Sequence, residues 1–199
     1  GWSAFGTGVI GDWTCHVVDP VFWALDLGAP TSIEAETGDY DPQKHGDTFP
    51  KASVVRYEFP ARGNRPAVKL TWYDGAQKPP RPEELPADEA LPGTGALVIG
   101  DQGKITFGSH GAGRPQILSE SKMAAVQKKP TRIPKSPGHY KEWIEACKSG
   151  KPAGSHFDYG GPLTEIALLG AIAMRMKGKK LAWDSKNMKF TNSDEANQY

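Results

Sequence analysis

The chain has 199 residues, with 24 Lys plus Arg against 23 Asp plus Glu and a formal net charge of +1, so no whole-molecule field draws it to nucleic acid or to an anionic membrane. Its two cysteines, Cys15 and Cys147, stand far apart and in no C-x-x-C arrangement, which excludes a disulfide framework and a cysteine zinc site. No apolar run approaches the roughly 18 residues of a membrane span, and the length suits one well-buried core.

The first segment, GTGVIGDWTCHVVDP over 6–20, carries Gly6, Gly8 and Gly11 in the G-x-G-x-x-G spacing of a dinucleotide loop. Such a loop needs a buried strand before its first glycine, and only five residues, Gly1 to Phe5, precede this one. Asp12 would also place a carboxylate beside the pyrophosphate, at a helix end that attracts anions. The expectation is that this chain by itself binds neither NAD nor NADP. A helix is predicted from Asp12 to Leu27, burying Val18, Val21, Phe22 and Leu25, with Asp12, His16, Asp19 and Trp23 along a neighbouring stripe. Pro20 removes the helical bond to the His16 carbonyl, so a kink is expected near His16.

Strand signals follow without intervening helices: TSIEAET, ASVVRYEF, AVKLTWY, GALVIG and KITFG, which argues for an antiparallel sheet. The alternating Val55, Tyr57, Phe59, Leu70 and Trp72 would give one sheet face an aromatic patch of the kind that marks protein contacts. A proline-rich loop is predicted over 76–95, and a second proline-rich connection over 127–139. Ser136 then reads as an N-cap and Pro137 as the first position of a helix whose buried stripe is Tyr140, Trp143, Ile144 and Cys147, ended by Gly150. A third helix is predicted from Pro162 to Gly178, apolar around most of its circumference, and KKLAWD reads as a closing strand. One helix, a run of strands, two helices and a strand make an α+β fold in a single domain, not the β-α-β alternation of a dinucleotide fold.

Three blocks taken together, FGTGVIGDWTCHVVDPVFWALDLGAPTSIEAETGD, SPGHYKEWIEACKSGKPAGSHFDYGGPLTE and KKLAWDSKNMKFTNSDEANQY, resemble the C-terminal domain of the Gfo/Idh/MocA family of NAD(P)-dependent sugar oxidoreductases, in a branch with a long proline-rich insertion. The resemblance implies one large, mostly antiparallel open sheet with helices packed on one face. It implies that residues 1–199 are the substrate-binding and oligomerisation domain of a longer protein, homo-oligomeric through the sheet. NAD or NADP would be held by an N-terminal Rossmann domain that these residues do not include and that also supplies a catalytic lysine. The family's D-x-x-x-H pair falls on Asp12 and His16, implying that they face the nicotinamide and the reacting carbon of a sugar or polyol. The chemistry suits the residue types: imidazole titrates near neutral pH and can accept a hydroxyl proton as hydride leaves, and a carboxylate one turn earlier can orient it.

Asp19, Tyr159 and Asp158 are candidate substrate contacts. Read without the resemblance, Asp12 is explained as an N-cap and His16 as a core histidine, Asp19 before Pro20 as a turn signal, and FDYGGPLTE as a capping turn. Asp12, His16 and Asp19 at i, i+4 and i+7 also have metal-ligand spacing. Two further functions compete: a relative that oxidises, eliminates and re-reduces on one NAD to cleave a glycoside, and a non-catalytic assembly scaffold.

Overall fold

The computed structural model describes residues 1–127 and 133–199. After a 3-10 turn at Ser3–Phe5 come helices α1 (Gly8–Val17) and α2 (Asp19–Leu25), strand β1 (Ser32–Glu36), the short α3 (Pro42–His45), strands β2 (Val54–Phe59) and β3 (Val68–Tyr73), and then the meander β4 (Gly95–Gly100), β5 (Gly103–Gly108) and β6 (Gln116–Ile117). Helices α4 (Glu120–Gln127), α5 (His139–Ser149) and α6 (Phe157–Arg175), strands β7 (Leu181–Asp184) and β8 (Lys189–Phe190), and a 3-10 turn at Ala196–Gln198 complete the chain. The fold is α+β. Its strands form a five-stranded sheet in the order β3-β2-β1-β7-β8 and a separate three-stranded sheet β4-β5-β6, with every pair antiparallel.

Period-two alternation decides the two faces of the larger sheet. Ile33, Ala35, Val55, Tyr57, Phe59, Trp72 and Leu181 are buried and belong to the core with Leu163, Ile166, Leu169 and Ala173 of α6. Glu34, Arg56, Glu58 and Lys69 take the alternate positions and face outward. The aromatic patch expected to mediate assembly is therefore the inner face, covered within the chain by α6. Helix α1 lies across α6 in turn. At their crossing a Cβ on Gly170 would overlap the Tyr57 hydroxyl and the Ile10 side chain, so only glycine lets the three elements approach so closely. The Tyr57 hydroxyl donates to the Ile166 carbonyl at 3.0 Å, which satisfies the one polar atom this ring brings into the core.

Several boundaries differ from those predicted. The first helix begins at Gly8, and it is two helices broken at Val18, whose backbone stays helical (φ −85°, ψ −28°). Helix α6 begins at Phe157 and not at Pro162, because a proline in the second turn loses one bond, here to the carbonyl of the exposed Asp158, without ending the helix. Helix α5 begins after Gly138, and Ser136 accepts from the Gly138 amide without capping the helix. Its expected buried stripe is exposed: Tyr140 is 77 % and Trp143 66 % accessible, and no residue of α5 is buried. The loop over 76–95 holds as predicted up to β4, and one guanidinium, Arg81, ties it together by donating to the carbonyls of Leu85 (3.0 Å) and Pro86 (2.6 Å). Residues 128–132 of the connection expected over 127–139 lie outside the described residues.

Candidate functional site

The site is built on the break between α1 and α2. The Val18 amide donates to the Thr14 carbonyl and the Phe22 amide to the Val18 carbonyl, both at 2.8 Å, so the chain stays helical through the break. The His16 carbonyl should receive the amide of residue 20, which is proline and has none. The backbone N–H of His110, in the loop after β5, donates to it instead at 3.0 Å. A loop almost a hundred residues away is thereby fastened to the helix at the expected kink.

That bond sets two imidazoles together. The His16 and His110 rings stack with centroids 4.4 Å apart and planes at 27°, and Trp13 meets both edge-on at 5.6 and 5.5 Å. The Ser109 hydroxyl lies 2.8 Å from His110 Nδ1. His16 is exposed, so it is not a core histidine, and Asp12 is exposed in the middle of α1, so it is not an N-cap; that place belongs to Thr7. Asp12 and His16 share the helix one turn apart, and among the described residues no hydrogen bond joins them.

Asp19 opens α2 and Tyr159 stands in the first turn of α6. The Tyr159 hydroxyl donates to Asp19 Oδ1, and Phe22 packs edge-on against the ring at 5.5 Å. Burial, then this hydrogen bond and the Asp19 charge, push the Tyr159 phenol far above its usual range, so it is a donor at any physiological pH. Cys15, one turn before Asp19, is likewise raised, by burial first and the Asp19 charge second, which leaves it a thiol and a weak nucleophile. Asp158 stands apart: its side chain is fully exposed, 3.8 Å from His156 Nδ1, and it bonds to none of the other candidates. The structure thus joins Asp19 to Tyr159 and adds His110, Trp13 and Cys15, for which sequence spacing held no signal beyond the orphaned His16 carbonyl.

The glycines of 6–11 have packing reasons. Gly8 has φ +72° with the Phe49 ring where a Cβ would be, and a Cβ on Gly11 would overlap the Thr7 side chain. A 3-10 turn, not a strand, precedes them, so this segment does not fit a dinucleotide. Among the described residues no group of three or more His, Cys, Asp or Glu side chains is placed to hold a metal ion, and Asp19 of the i, i+4, i+7 set is taken by Tyr159. A shallow groove of 140 Å³ lies far from this site, on the outer face of the sheet. Of the two acidic residues lining it, Glu34 and Glu58, Glu58 is paired with Lys180 at 2.6 Å and Ser32 at 2.7 Å, an arrangement that serves the sheet surface. No family model, curated protein or solved structure matches the chain.

Proposed function

We propose that residues 1–199 are the substrate-binding part of an NAD(P)-dependent oxidoreductase that oxidises a secondary alcohol of a sugar or polyol. The observation that carries this reading is an exposed imidazole, His16, stacked on His110 near the end of α1, three residues before Asp19, which opens α2 and accepts a hydrogen bond from Tyr159 of α6. Since residues 6–11 do not fit a dinucleotide, the cofactor is assigned to a domain outside residues 1–199, where it would supply the hydride acceptor. The residues of this chain handle the proton and the substrate. His16 accepts the hydroxyl proton of the reacting carbon. Asp12, one turn earlier on α1, is placed to orient the imidazole, and Asp19, which accepts from Tyr159 through one oxygen, offers its second oxygen to a substrate hydroxyl. Asp158 is a contact at the outer edge only.

The test is NAD(P)H formation from free sugars and polyols by the polypeptide that includes the cofactor domain. His16→Asn keeps the approximate shape and removes a usable base, so turnover should fall by about 10² to 10⁴ with little change in cofactor affinity. Near-normal turnover in that variant would sink the catalytic assignment. Product release from a glycoside without net NADH would instead favour the glycoside-cleaving reading.

The same reading includes a homo-oligomer. With the aromatic face of the sheet occupied by α6, the face left for a second copy is the outer one, bearing Glu34, Glu36, Arg56, Glu58, Lys69 and Lys180.

A further inference from the structure

We propose that His110 is a positioning residue for His16, delivered to it by the carbonyl that Pro20 leaves without a helical donor. This rests on the reading of His16 as the base. Separate contacts fix the arrangement: the His110 amide on the His16 carbonyl at 3.0 Å, the stacked rings at 4.4 Å, the Ser109 hydroxyl on His110 Nδ1 at 2.8 Å, and Trp13 edge-on to both imidazoles. The first of these is a backbone bond, made by the main chain of His110 at φ +58° and not by its imidazole. The ring is therefore separable from the anchor, and what the ring adds is its contact with His16.

An exposed histidine on a helix surface rotates about χ1 and χ2, and every rotamer that turns its nitrogen away from the hydroxyl is unproductive. A second ring lying flat on one face, with an indole edge beside it, restricts that rotation before substrate arrives. Such preorganisation matters because a misplacement of about 1 Å at a reacting group costs on the order of a hundredfold in rate. Asp12 stands one turn earlier on α1 and the Asp19–Tyr159 pair joins α2 to α6, while His110 is the ring that reaches His16 from the β5–β6 loop.

The experiment compares His110→Ala with His110→Phe. In the polypeptide that includes the cofactor domain, His110→Ala should lower kcat by about ten- to a hundredfold and leave KM for NAD(P) unchanged. His110→Phe keeps a flat ring on His16 and the backbone bond, and should recover most of that loss. In residues 1–199 alone, the Cε1–H proton resonance of His16 should move in His110→Ala as the ring current of its neighbour is lost. Wild-type kcat in His110→Ala would overturn the proposal, and so would a His110→Phe variant as impaired as His110→Ala, since an imidazole nitrogen would then be what matters. Were the parent polypeptide to show no NAD(P)-linked oxidation, the functional reading would fail by itself. The resonance would still decide the contact, and an unmoved His16 line would overturn the positioning role.

Discussion

Gly170 and Pro20 show how single residues set this structure through what they lack. At Gly170 the missing Cβ lets α1, α6 and β2 meet. Gly170→Ala would gain roughly 1 kcal/mol of helix propensity, but it forces a methyl into the Tyr57 hydroxyl and the Ile10 side chain, and overpacking of this kind costs about 1–3 kcal/mol. The Tyr57–Ile166 hydrogen bond is displaced as well. We expect a net loss of stability, read as a lower urea midpoint with an unchanged slope, and a midpoint at or above the parent value would contradict the close approach. At Pro20 the missing amide was legible from the sequence, and so was a disturbance near His16. The donor that replaces it was not, because nothing in the local spacing of 6–20 refers to residue 110. Tyr159 and Asp19 were legible one by one, and their bond was not, for the same reason of distance along the chain.

At the scale of elements, α5 is held in an unusual way, since it buries no side chain. Glu142 accepts from the Gly154 amide at 2.5 Å and from the Ser136 hydroxyl at 3.0 Å, tying the helix to the segments on both sides of it. These two bonds, the amide first, hold the Glu142 carboxyl below its ordinary value of 4.5. A carboxyl lowered on folding adds stability that is fully present above the ordinary value and is lost as pH falls through the folded one. Glu142→Ala should therefore speed amide exchange over 139–149 at neutral pH, even though alanine is the better helix former. The gap between variant and parent should close as the pH drops below about 4.5 and the parent carboxyl protonates. Equal exchange at neutral pH would mean that α5 is held by something else. The helix itself was readable from its period, whereas its burial was not: periodicity reports that one side is apolar and says nothing about what covers it. In α6 the proline misled the reading of the start, because a second-turn proline and a first-position proline look alike in sequence.

For the whole molecule, the strand run announced antiparallel pairing, and the α+β class followed from element order alone. The division into two sheets did not, since it depends on where the loop over 76–95 sends the chain, and that is decided by contacts such as those of Arg81. The aromatic residues were correctly placed on one side of the sheet and assigned to the wrong neighbour, as an intramolecular helix and a second subunit bury the same pattern. Assembly through the outer face makes a distinct prediction. Arg56 pairs with Glu36 at 2.7 Å and stands opposite Glu34, so Arg56→Glu would gather three carboxylates there. Light scattering should show an oligomer that this variant and raised salt both weaken. A parent chain that stays monomeric at high concentration would remove the assembly.

The strand order β3-β2-β1-β7-β8 has a consequence for how the protein comes into being. Ile33 of β1 pairs with Leu181 of β7, and α6, which packs on β1 and β2 and accepts the Tyr57 hydrogen bond, is itself near the end of the chain. During synthesis the first three strands can zip up early, yet one edge of β1 and the whole aromatic surface stay bare until residues 157–184 have left the ribosome. A nascent chain in that state offers both an unpaired strand edge and a sticky apolar plane, the two features that invite misassembly. Pairings this far apart in sequence also fold slowly. Truncation after Arg175 keeps α6 but removes β7, so the bare edge of β1 alone should leave a product that aggregates or is held by chaperones, although it would retain every candidate residue of the functional site.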